Sequence, residues 1–171
     1  MSGDVTLNGS PVIRGDIKLP FAGAFTAELD LDADAAPTGS VTLSFLGRTF
    51  VGTVVADPSD SKLVLSGDSG GYFRCRIVGG AGGLSKPMDP RAWDQGAVVS
   101  QVLAAILQAA GESQSPDIDL DLLAQVLPQW SITSGTAGGA LAALVEYLAA
   151  GQPGLVWRIR GDGRSEEHTS E

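Results

Sequence analysis

A single cysteine, a single histidine and an aromatic content of 6% leave this sequence short of the parts from which most catalytic and cofactor sites are built. Cys75 alone excludes a disulfide framework, and its place in an alternating run fits a buried thiol in a reducing compartment. Basic residues are few, 11 against 20 acidic, for a formal charge of −9. That balance excludes sequence-specific recognition of nucleic acid, whose phosphates demand a basic surface, and disfavours an anionic membrane face. Long hydrophobic runs are missing too. "AVVSQVLAAILQAAG" and "AGGALAALVEYLAAG" are bounded by glycine and fall short of the ~18 apolar residues that span a bilayer, so no membrane insertion is expected. The start, "MSGDVTLNG", has neither a basic nor an apolar leader region, so synthesis and folding in a cytosol are expected.

The one histidine, His168, sits in the closing octet "RSEEHTSE". This octet resembles the conceptual translation of a widely used sequencing adapter. Residues 164–171 are therefore expected to be a non-native tail, with the natural continuation of the chain absent. Removing Arg164, Glu166, Glu167 and Glu171 takes one base and three acids from 11 and 20, leaving 10 and 17, a charge of −7.

Much glycine (23 residues) and a 43% hydrophobic content remain, enough to bury the core of one domain or two small ones. "GDSGG", Gly67 to Gly71, is spelled like the nucleophile loop of chymotrypsin-like proteases. A serine without a base is an ordinary hydroxyl, and no histidine precedes Ser69. The stretch reads instead as a hairpin loop between "SKLVLS" and "YFRCRIV".

The chain changes character near Trp93. Up to Val78 it consists of short period-two runs: "VTLNGSPV", "GDIKLP", "FTAELDLDA", "GSVTLSFLGRTFVGTVVA", "SKLVLSG" and "YFRCRIVG". In the last, Tyr72, Arg74, Arg76 and Val78 share one face, and Phe73, Cys75 and Ile77 the other. "FLGRTFVGTVV" reads as two strands around Gly47-Arg48, with Gly52 marking a bulge or a close backbone approach. Six or so strands at this spacing predict a small antiparallel barrel or sandwich over 1–84.

Residues 85–96 read as a connector. Residues 97–163 then turn helical, giving an α+β chain overall. Val98, Val99, Val102, Leu103, Ile106 and Leu107 form one stripe, with Asp94 as cap and Gly111 as stop. "SPDIDLDLLAQVLPQW" predicts a short helix with acids in its first turn. "WSI" predicts a strand, Thr136 a cap for the helix "AGGALAALVEYLAA", which ends at Gly151, and "LVWRIR" a strand ending in a "GDG" turn. "WSI" and "LVWRIR" are expected to form a two-stranded ribbon, and "LVWRIR" to lack its return strand.

No residue is nominated as catalytic, cofactor-binding or metal-ligating, and no cofactor is expected. "VGGAGGLSKPMDPRAW" offers glycines, but Pro87 and Pro90 interrupt the path into a helix that a phosphate cradle needs. Asp30 to Val41 begins like a calcium loop, yet Ala35 replaces the glycine of its sixth position and Val41 the bidentate glutamate. The RGD triplets Arg14–Asp16 and Arg160–Asp162 fit chance in a turn-rich chain. Glu28 and Asp30 share a strand face at roughly 7 Å, a spacing open to glycosidic chemistry and equally to a solvated face.

The order of parts carries one resemblance. Trp130, the turn Gly135-Thr136, the helix positions Ala140, Leu141 and Leu144, then Trp157 before Asp162-Gly163 recur in this order in tail hub proteins of bacteriophages. That family groups baseplate hub and late-control D-like proteins and is related in fold to the VgrG spike base of type VI secretion. The resemblance spans Phe45 to Gly163 and rests on core and turn residues. It implies a non-enzymatic virion component, assembled in the host cytoplasm, with no active site. It further implies a homo-oligomeric ring, a trimer in the family, that joins tail tube to spike and passes the tape-measure protein and DNA. A non-catalytic sugar-binding β-domain and a cell-wall glycoside hydrolase are the competing readings. On any of them Ser69→Ala leaves fold and activity unchanged; labelling of Ser69 by a fluorophosphonate probe is the result that overturns this.

Overall fold

A computed structural model describes residues 5–33, 35–55, 73–133 and 135–163, together with the backbone of 165–169. "GDSGG", "SKLVLSG" and Tyr72 lie outside the described residues, as does Asp34 of the calcium-like stretch. The chain is α+β and divides into two compact units. One is drawn from Met1–Pro20, Ala24–Gly82 and Ile159–Gly163, the other from Phe21–Gly23, Gly83–Arg158 and Arg164–Glu171.

The first unit is built of β1 (Thr6–Leu7), β2 (Ser10–Lys18), β3 (Thr26–Leu31), β4 (Ser40–Phe45), β5 (Arg48–Val55) and β6 (Phe73–Gly79). Their antiparallel pairing runs β1-β2-β3-β6-β5-β4 and returns from β4 to β1, a closed barrel. Alternation decides which side chains point inward. Ala27, Leu29 and Leu31 of β3, Val41 and Leu43 of β4, and Cys75 and Ile77 of β6 fill the interior with Leu7 and Phe25. In register, Ala27 faces Ile77 and Leu29 faces Cys75. Gly52 lies under this layer, where a Cβ would come within 2.7 Å of Ile77 Cγ2 and 2.8 Å of the Val78 carbonyl. The run "VTLNGSPV" is broken by a two-residue turn at Asn8-Gly9. The turn between β4 and β5 is centred on Leu46-Gly47 and not on Gly47-Arg48, because Leu46 itself takes the left-handed conformation, φ 51°.

In the second unit, α1 (Val99–Ala110) and α3 (Ala137–Ala149) pack against each other and against a 3-10 turn at Gly83–Ser85. Val99, Val102, Leu103, Ile106 and Leu107 of α1, with Leu141, Leu144, Val145 and Leu148 of α3, are buried. Gly111 ends α1 in the left-handed conformation and Thr136 caps α3, its hydroxyl accepting from the Gly139 amide at 3.1 Å. Asp94 does not cap α1. Val98 occupies that position, with its amide donating to the Gln101 side chain at 3.3 Å. The acidic stretch gives a single turn, α2 (Leu120–Leu123), with Asp119 accepting from the Asp121 amide at 2.8 Å.

The segment expected as a connector is one side of a ribbon. β7 (Pro87–Met88), β8 (Arg91–Trp93) and β9 (Ala97–Val98) pair in turn with β12 (Gly135–Thr136), β11 (Trp130–Ile132) and β10 (Val126–Leu127). The prolines that suggested a passage fit this role: Pro87 opens a strand and Pro90 lies between two, so neither removes a needed ladder donor. The unit boundary accordingly falls at Gly82/Gly83, ahead of residue 85. "WSI" thus pairs with β8 and not with "LVWRIR". The latter forms β13 (Leu155–Ile159), whose ladder partner is β14 (Ser165–Thr169), within the octet set aside as a tail. The Gly23 amide also donates to the Trp157 carbonyl at 2.7 Å.

Leu144 is 0% exposed at the centre of the α3 stripe. Leu144→Asp buries an unpaired carboxylate at a cost of several kcal/mol, against a domain stability of about 5–15. Loss of cooperative melting of the second unit is expected, whereas Glu146→Ala, on the exposed face, leaves the melting temperature unchanged. Calorimetry of the two variants decides it.

Candidate functional surface

The outward residues of β2, β3 and β6 form rows across the barrel. Arg14, Asp30 and Arg74 make one, and Asp16, Glu28 and Arg76 the next. Asp30 is 7% exposed although it points away from the core. Arg74 grips it with both arms, Nε to Oδ1 at 2.8 Å and the terminal nitrogen to Oδ2 at 3.1 Å. This hydrogen bonding, with the charges of Arg74 and Arg14, outweighs desolvation and holds the Asp30 carboxyl below its ordinary value. A glycosidic general acid needs the opposite, a carboxyl raised and free to give its proton. Asp30 is therefore a rivet between β3 and β6. The same arrangement disposes of the calcium-like stretch: Asp30 is committed to Arg74, and Val41 is buried in the barrel core.

The glycine run is likewise occupied from within. A Cβ on Gly83 would overlap the Ala110 carbonyl oxygen, so the turn sits directly on the end of α1. The Gly83 amide donates to Oε1 of buried Glu112 at 3.2 Å, so the anion taken by this turn is the chain's own carboxylate. Of the RGD triplets, Arg14–Asp16 lies within β2, and the other within the turn closed by the Gly163 amide on the Arg160 carbonyl at 2.9 Å. Cys75 is buried in the barrel. Among the described residues no cluster of His, Cys, Asp and Glu could hold a metal ion, and no helix is long and apolar enough to cross a membrane.

Two features were not marked by sequence. A cavity of about 200 Å³ lies beside β11 and the first turns of α3, walled by Trp130, Ile132, Thr136, Gly139, Ala140 and Ala143. Trp130 stands edge-on to Tyr147, ring centres 5.3 Å apart, and its buried Nε1 has no hydrogen-bond partner among the described residues. The small residues at 139, 140 and 143 are the signal that sequence offered. The other feature is Leu46, 71% exposed at a hairpin tip.

No protein-family model matches the chain, and no curated protein matches it in sequence. Solved structures do. A tail protein from Neisseria meningitidis MC58 superposes with a TM-score of 0.67 at 14% identity, over 98% of this chain and 50% of that one. The 43 kDa tail protein of prophage MuSo2 from Shewanella oneidensis gives a TM-score of 0.59 at 16% identity, over 100% of this chain and 56% of that one. The likeness is one of fold, and the chain spans about half the length of each.

The Asp30–Arg74 pair generates a pH dependence. Its folded-state pKa lies below the ordinary 3.8, so its contribution to stability is complete above 3.8 and is lost as the pH falls through the lower folded value. Arg74 is 42% exposed, which limits the contribution to about 1–2 kcal/mol. Urea titrations of wild type and Asp30→Asn are expected to differ by that amount at pH 7 and to converge in strong acid; a pH-independent gap contradicts the assignment.

Proposed function

We propose that this chain is a structural component of a phage tail: a baseplate-hub part that assembles with copies of itself into a symmetric ring between tail tube and spike. The observation that carries the reading is the fold likeness, which extends over essentially the whole chain to two tail proteins of different organisms. The sequence pattern behind the hub resemblance agrees with it. Trp130 and Trp157 lie on strands, Leu141 and Leu144 are buried in α3, and Gly163 closes a turn.

The work of such a part is repeated burial of surface between copies and neighbours, and its chemistry is that of packing. On this reading the carboxylates serve the barrel wall, the chain is no enzyme, and its partners are other copies of itself with tail-tube, spike and tape-measure proteins. Its place is the virion, after assembly in the host cytoplasm. A trimer is the expected ring.

The reading is tested on tails purified from the phage that encodes the chain. Mass spectrometry is expected to find it as a stoichiometric, low-copy component, and light scattering of the isolated protein to find discrete oligomers. Its absence from purified particles overturns the proposal.

A further inference from the structure

The barrel's two tight hairpins share a backbone and differ in sequence. Asn8 (φ 51°) and Gly9 (φ 86°) form one, Leu46 (φ 51°) and Gly47 (φ 73°) the other. Both have positive φ at both central positions, the geometry that asparagine followed by glycine satisfies best. Asn8 uses its side chain as well, its Oδ1 accepting from the Thr42 amide at 2.8 Å. Leu46 gains nothing comparable. A branched aliphatic side chain is strained in the left-handed region, and 71% of this one lies in water. Neither turn geometry nor burial within the chain accounts for a leucine there. A strained residue held at an exposed tip is the kind of outlier that points to a contact outside the molecule.

The second unit offers a counterpart. Its cavity of about 200 Å³ exceeds the ~150 Å³ space that loss of a leucine side chain leaves in a protein core, and it is flanked by Ile132, Trp130 and the small side of α3. Charges beside the two features are opposite. Arg48 is exposed two residues after Leu46, and Glu146 is exposed one turn along α3 from Ala143.

We infer that Leu46 of one copy seats in the Trp130–Ala143 cavity of the next, with Arg48 and Glu146 meeting at its rim. This rests on the ring reading above and names its contact. A knob and a hole on different parts of the chain make a head-to-tail interface, which closes into a ring when the rotation between copies permits. Each copy then gives one knob and receives one.

The experiment uses the full chain and three proteins: wild type, Leu46→Asn and Ala143→Phe. Leu46→Asn installs the residue the first hairpin already uses, so its melting temperature is expected to equal or exceed the parent's. Ala143 is exposed, and Phe fills the cavity from its edge. Light scattering over a concentration series is expected to show oligomers for wild type, and association weakened about tenfold or more for each variant alone. A mixture of the two variants is expected to form a heterodimer, because one supplies an intact cavity and the other an intact Leu46. Wild type that stays monomeric overturns both this contact and the ring. Rings that survive both substitutions overturn the contact and leave the ring reading standing. Loss of association in Leu46→Asn but not in Ala143→Phe also overturns it, since Leu46 then seats elsewhere. If Ala143→Phe melts below the parent, oxidative cross-linking of Leu46→Cys with Ala143→Cys replaces it, and failure to link overturns the contact.

Discussion

Thr6 and Leu7 pair on one side with Pro11 and Ser10 and on the other with Ser44 and Leu43, and this two-residue strand turns six strands into a ring. Remove it and β2 and β4 each present a row of unpaired amides and carbonyls, the template on which sheets aggregate. Leu7 also reaches the interior, 1% exposed, so the residue that closes the ladder also plugs the core. Closure fixes everything inside. Small residues are required where the wall comes close, at Gly52 beneath Ile77, and larger ones fill the remainder.

Closure also decides what the outer face does with its charges. Each strand turns every second residue outward, and the fixed register places Asp30 between Arg14 and Arg74 and Glu28 between Asp16 and Arg76. In the first row Arg74 holds Asp30 across β3 and β6 and commits its carboxylate, whereas in the second Asp16 and Glu28 are like charges directly opposite each other. The same economy appears in the second unit, where Glu112 answers the Gly83 amide. Motifs that looked available in the sequence are occupied by partners distant along the chain, 44 residues away for Asp30 and 29 for Gly83.

In the second unit, the ribbon of β7–β9 against β10–β12 does for the helices what closure does for the barrel. It ties the entrance of α1 to the entrance of α3 through a ladder of nearly constant register, from Pro87 opposite Thr136 to Val98 opposite Val126. Leu127 and Ile132 of this ribbon are buried. Short strands of two or three residues are marginal alone, and burial beside two apolar helices makes them persist.

Several elements were determined by the local period of the sequence. The alternation of "TAELDL" and "FRCRIV", the stripes of α1 and α3, the Gly111 stop and the Thr136 cap all follow from contacts within a few residues, which the order of side chains specifies directly. What depended on partners far along the chain was decided only by the tertiary structure: the ring through Thr6–Leu7, the arginine on Asp30, the pairing of Arg91–Trp93 with Trp130–Ile132, and β14 beside β13. The left-handed Leu46 belongs with these, because its strain is tolerated only where the ladder of β4 and β5 on either side forces the turn. Local propensity is worth tenths of a kcal/mol per residue, and a closed ladder outweighs it wherever the two disagree.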